Sequence, residues 1–154
     1  MKVFIPLFFT LVIAFGCTSA ELKCEPINPC AAIIARTAPI YNDAIEKMNE
    51  LKTECLGSIN DATFNNRDEY DTFYNNFNSD GGCSKRLVSE LNTAIEALAN
   101  TFGLTFDEYF PSIFFSQERT GDVACVAGAD NNLHFSVFTP IVSVWENALS
   151  ARRP

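Results

Sequence analysis

Apolar residues recur at the three- and four-residue spacing of an α-helix face along most of the chain. Tyr41, Ala44, Ile45, Met48, Leu51 and Cys55 form the first such stripe. Asn42, Asp43, Glu46, Lys47, Asn49, Glu50, Lys52 and Thr53 lie opposite it. The pattern predicts a helix between Cys30 and Cys55. Pro39 removes one backbone bond and clashes with the preceding turn, so a kinked or broken pair is expected. Thr37 would cap the second piece, and Gly57 would end it near Leu56.

Tyr70, Phe73, Tyr74 and Phe77 repeat the helical spacing. Asn66 or Asp68 would start that helix, and the run Asn78-Ser79-Asp80-Gly81-Gly82 would end it. Leu87, Val88, Leu91, Ala94, Ile95 and Leu98 predict a third helix over 84–100, with Ser84 as its cap and Gly103 as its stop. Thr105 followed by Glu108 fits a capping box. It announces a fourth helix carrying Phe106, Tyr109, Phe110, Ile113, Phe114 and Phe115, bent at Pro111.

Beyond it the pattern weakens. Residues 118–122 read as a polar turn. Val123 to Ala127 is too short to separate a helix turn from a buried strand. Residues 128–132 read as a second turn. Leu133, Phe135 and Val137 alternate with His134 and Ser136, a weak strand signal. Thr139-Pro140 marks a last helix start, with Ile141, Val144, Trp145, Ala148 and Leu149 on one face and Arg152 and Arg153 at its electronegative end. The expected fold is all-α, a small bundle of about five helices.

Residues 1–20 read as an export signal: Met1 and Lys2, an apolar run from Val3 to Phe15 broken by Thr10, then Thr18-Ser19-Ala20 before a cleavage site. The run falls short of the ~20 residues that cross a bilayer. Cys17 as a lipoprotein acceptor fits poorly, because Phe15 is bulky for that motif. Residues 21–154 form a single disulfide-containing domain, secreted and extracellular, with no membrane span.

Removing the signal leaves ten basic residues against nineteen acidic, a net charge of −9. That balance repels nucleic acid and anionic membranes. Five of the six cysteines remain: Cys24, Cys30, Cys55, Cys83 and Cys125. Outside the cell they read as two disulfides with one residue over. An unbroken helix would hold Cys30 and Cys55 more than about 30 Å apart, beyond the reach of a bridge. Cys55 is therefore expected to pair with Cys83 or Cys125, and Cys24 or Cys30 to take part in the other bond. The leftover cysteine makes a disulfide-linked homodimer conceivable.

The catalytic search returns little. His134 is the only histidine, no Gly-x-Ser-x-Gly elbow is present, and no Cys-x-x-Cys or His-x-x-x-His spacing suggests a metal. Asn76 to Gly81 resembles the start of a calcium loop, but Leu87 stands where a bidentate glutamate belongs. The adjacent pairs Asp68/Glu69 and Asp107/Glu108 diverge on a helix, so a hydrolase built on dispersed carboxylates is a minor alternative. The expectation is a non-enzymatic secreted protein without cofactor or metal. It would hold a small apolar ligand between helices, at Tyr70, Phe73, Tyr74, Phe77, Phe106, Phe110 and Phe114. The alternative is a protein-interaction or effector module acting through its acidic surface.

Overall fold

The computed structural model describes the backbone of residues 15–17, 24–26, 28–116 and 121–154, and the side chains of 28–116 and 121–154. The expected signal and its cleavage site fall almost wholly outside these residues. So do the Cys24 side chain and most of the turn expected over 118–122. A short antiparallel pair, β1 (Phe15–Cys17) and β2 (Cys24–Pro26), sets Cys17 opposite Cys24. Among the described residues every later element is a helix: α1 (Ala31–Asp61), α2 (Arg67–Asn78), α3 (Cys83–Thr101), α4 (Phe106–Phe114), α5 (Gly121–Asn131), a π-helical stretch (Asn132–Phe138) and α6 (Thr139–Ala151). The last three run on without a break, so the described residues form five helical rods, the all-α bundle that the spacing predicts.

α1 is the central rod. Its buried face is Tyr41, Ala44, Met48, Leu51, Cys55 and Ile59. It packs on α3 through Leu87, Leu91, Ala94, Ile95 and Leu98, and on α6 through Ile141, Trp145 and Leu149. The expected break at Pro39 does not occur, and Thr37 is no cap. Thr37 is fully buried within the helix, and its hydroxyl donates back to the Ile33 carbonyl at 2.9 Å. That bond removes the penalty of burying a hydroxyl. Packing along both sides of the proline holds the helix together despite the missing bond. Gly57 is likewise no stop, for α1 continues to Asp61. There the Arg152 guanidinium donates to the Ala62 carbonyl at 2.6 Å and to the Asn60 carbonyl. The cation that the sequence assigns to its own helix end thus also serves the end of α1, where carbonyls lack partners.

The shorter helices follow their local signals more closely. The Asn66 side chain accepts from the Glu69 N–H at the start of α2. Thr105 and Glu108 form the complete capping box of α4. Ser84 differs: α3 starts one residue earlier, behind Gly82, and the Ser84 hydroxyl donates to Asn78 Oδ1 at 2.7 Å across the turn. Gly81 in that turn has φ +79°, the left-handed conformation that glycine accepts without strain. Leu87, the twelfth position of the calcium-like spacing, is fully buried in the core.

The turn expected at 128–132 and the strand expected at 133–138 are both replaced by helix. Leu133, Val137 and Ile141 fall four apart and face inward, whereas Phe135 is exposed. The apparent alternation is a short run without a matching sheet partner. The Thr139 N–H reaches back five residues to the His134 carbonyl, the signature of a widened turn. Pro140 follows directly. A proline ring crowds the carbonyl four residues before it, and the wider turn gives it room.

Two intrachain disulfides crosslink the rods. Cys55–Cys83 joins α1 to the start of α3, and Cys30–Cys125 joins the start of α1 to α5. Both lie within the pairings expected from spacing. The first is flanked by a two-bond ion pair, Arg86 to Glu54 at 2.6 and 3.0 Å. Among the described residues no helix is long and apolar enough to cross a membrane.

Candidate functional site

The disulfide Cys30–Cys125 holds one end of α1 against α5, and between these two helices lies a groove of about 350 Å³. Ile34, Ala38 and Ile45 line it from α1, and Val126 and Ala129 from α5. Tyr41 contributes to its wall, and Asn42 and Asn132 are exposed on its lining. The α1 residues lie three or four apart, so one edge of a single helical face makes that wall.

Behind this groove sits the one buried carboxylate of the described core. Asp130 is 1 % exposed. The Tyr41 hydroxyl donates to its Oδ1, and the Tyr109 hydroxyl donates to its Oδ2 at 2.6 Å. One side chain of α5 thereby meets α1 and α4 together. Burial first, and then the bond to Asp130, raises both phenols well above their usual value. Both tyrosines stay protonated as donors through the whole physiological range. A buried charge needs such partners, because an unpaired one in an apolar surrounding is strongly unfavourable.

The seven aromatic residues nominated by spacing fall into two groups. Tyr70, Phe73, Tyr74 and Phe77 follow one another along α2, joined by Phe64, and Phe77 meets Trp145 edge-on at 5.4 Å. Tyr70 and Phe77 are buried, Phe73 is half-buried and Tyr74 is exposed. Phe106, Phe110 and Phe114 stack along α4 and continue into His134 and Phe135. No ring pair among the described residues joins the two groups. Of the seven, Phe73 borders an open hollow at the α1–α2 corner; none lines the groove between α1 and α5.

The α4 group forms a surface patch. Phe115 is 75 % exposed and Phe135 is 56 % exposed, an unusual state for large apolar rings. His134 lies among Phe114, Phe135 and Phe138, with ring centroids 4.5 to 5.7 Å away. Its Nδ1 is buried without a hydrogen-bond partner among the described residues. Burial lowers its pKa below the ordinary histidine value.

Spacing missed Asp130 and the groove because the run Gly128 to Asn132 has the composition of a turn. A weak signal was present: Val126, Asp130 and Leu133 fall four and three apart, on one helical face. A lone acid on an apolar face demands partners, and tyrosines on other helices can supply them. No protein-family profile, curated protein or solved structure matches the chain.

Proposed function

We propose that the mature chain is a secreted, non-enzymatic carrier that holds a small, mostly apolar molecule in the groove between α1 and α5. The supporting observation is the groove itself, whose apolar walls are tied together by Cys30–Cys125. Its volume falls in the lower part of the ~300–1,000 Å³ typical of ligand sites. Export is supported by the signal pattern of residues 1–20 and by disulfides, which persist in oxidising compartments.

The test is titration with N-phenyl-1-naphthylamine, whose emission rises in apolar surroundings. The expected outcome is saturable binding to the wild type and its loss in Ala38→Phe, which fills the groove from the α1 side. Equal binding by the variant would move the site elsewhere, and no binding to the wild type would remove the reading.

A second reading has its own observation, the exposed pair Phe115 and Phe135. On this reading the α4 patch, rather than the acidic surface at large, meets a partner protein. It predicts that Phe115→Ser and Phe135→Ser leave the fold and probe binding intact while suppressing any self-association seen by sedimentation.

A further inference from the structure

We infer that the groove selects uncharged amphipathic molecules, with the apolar body inward and a hydroxyl, carbonyl or amide head at Asn42 and Asn132, and that it turns carboxylates away. This inference rests on the carrier reading above and names its ligand class.

The argument starts from the hydrogen-bonding capacity of the lining. No residue lining the groove is Asp, Glu, Lys, Arg or His. Two of them bear hydroxyls, and both protons are already taken up inside the protein. Thr37 donates to Ile33 and Ile34 carbonyls, and Tyr41 donates to Asp130. Helix interiors offer nothing more, since their backbone N–H groups bond within the helix. The deep part of the groove therefore has no donor for an anion.

Asn42 and Asn132 are different. Both are exposed, one on each side of the groove. Each carboxamide supplies two donor hydrogens and one acceptor oxygen, so the pair accepts a neutral head of either polarity. A carboxylate meets three obstacles there. It loses the strong hydration of an ion without gaining a cation, it approaches the Asp130 carboxyl oxygens behind Tyr41, and it enters the field of a mature chain with net charge −9. A neutral head meets none of them.

A matched pair separates head charge from chain length. Decanol and decanoate compete for N-phenyl-1-naphthylamine bound to the disulfide-intact mature protein at pH 7.5. The expected result is displacement by decanol, with decanoate at least tenfold weaker. Asn42→Ala and Asn132→Ala should each weaken decanol by about 3- to 10-fold, the worth of one neutral hydrogen bond, with displacement read against the probe affinity measured for each variant. Decanoate equal to or tighter than decanol overturns the inference while the carrier reading stands. A probe that binds but is displaced by neither compound also overturns it. A probe that never binds removes both.

Discussion

The Tyr109 hydroxyl donates to the Asp130 carboxylate at 2.6 Å with both groups buried, and this bond ties α4 to α5. Tyr41 brings α1 to the other oxygen of the same carboxylate. Tyr109→Phe removes one charge-assisted bond and should lower stability by roughly 1.5–3 kcal/mol. Asp130→Asn keeps the shape but withdraws the charge that both phenols meet, and should be destabilising by a similar amount. The two changes share a partner, so their effects should not add. Urea unfolding followed by the single tryptophan, Trp145, measures each. A Tyr109→Phe variant within 0.5 kcal/mol of wild type would mean that this bond does not hold α4 in place.

Stability should fall on both sides of neutrality, for opposite reasons. His134 has a folded pKa below its unfolded value, set by burial. Between the two the unfolded chain binds more protons, so stability decreases as pH drops below about 6.5. Tyr41 and Tyr109 have raised folded values. Their contribution is complete below about pH 10 and is lost above it, where tyrosines of the unfolded chain ionise first. The lowered carboxyls of Glu54, Glu69 and Glu108 act further down, below about pH 4.5. Unfolding midpoints at pH 5, 7.5 and 10.5 should trace this profile. In His134→Phe the difference between pH 5 and 7.5 should shrink; an unchanged difference would assign it to other groups.

The two disulfides should differ in worth. Cys30–Cys125 closes a separation of 95 residues and Cys55–Cys83 one of 28. Loop-closure entropy alone assigns about 4.7 kcal/mol to the first and about 3.6 kcal/mol to the second. The paired change of Cys30 and Cys125 to serine should lower the melting temperature more, and should also weaken probe binding, because it unties the groove walls. Loss of the Cys55–Cys83 bridge should affect stability and spare the groove. Probe affinity that follows the second bridge instead would contradict the placement of the site.

Two glycines should respond in opposite directions. A Cβ at Gly82 would press on the carbonyl oxygens of Asn76 and Phe77, with Phe77 O at 2.5 Å. Backbone cannot step aside cheaply, so Gly82→Ala should be destabilising by roughly 1–3 kcal/mol. Gly57 lies inside α1 with nothing within 4 Å of its would-be Cβ. Gly57→Ala should stabilise by roughly 0.5–1 kcal/mol, the helix penalty of glycine. Thermal melts of both variants check the pair.

Periodicity and capping are local properties, so they could be read directly. The stripes of α1, α3 and α6, the Asn66 cap and the Thr105–Glu108 box lie where spacing places them, except that Val88 of the expected α3 stripe is exposed. So does the all-α class, because five amphipathic faces have only one another to bury against. Contacts between residues far apart in the chain decided the rest. Pro39 and Gly57 look like ends until packing along α1 outweighs one missing bond and one flexible residue. Residues 128–138 look like turn and strand until Asp130 finds Tyr41 and Tyr109, which draws a polar run into helix. The pairing of four cysteines and the groove between α1 and α5 depend on which rods lie side by side. Sequence order alone does not set that, because any two apolar stripes attract and only the packed arrangement chooses among them.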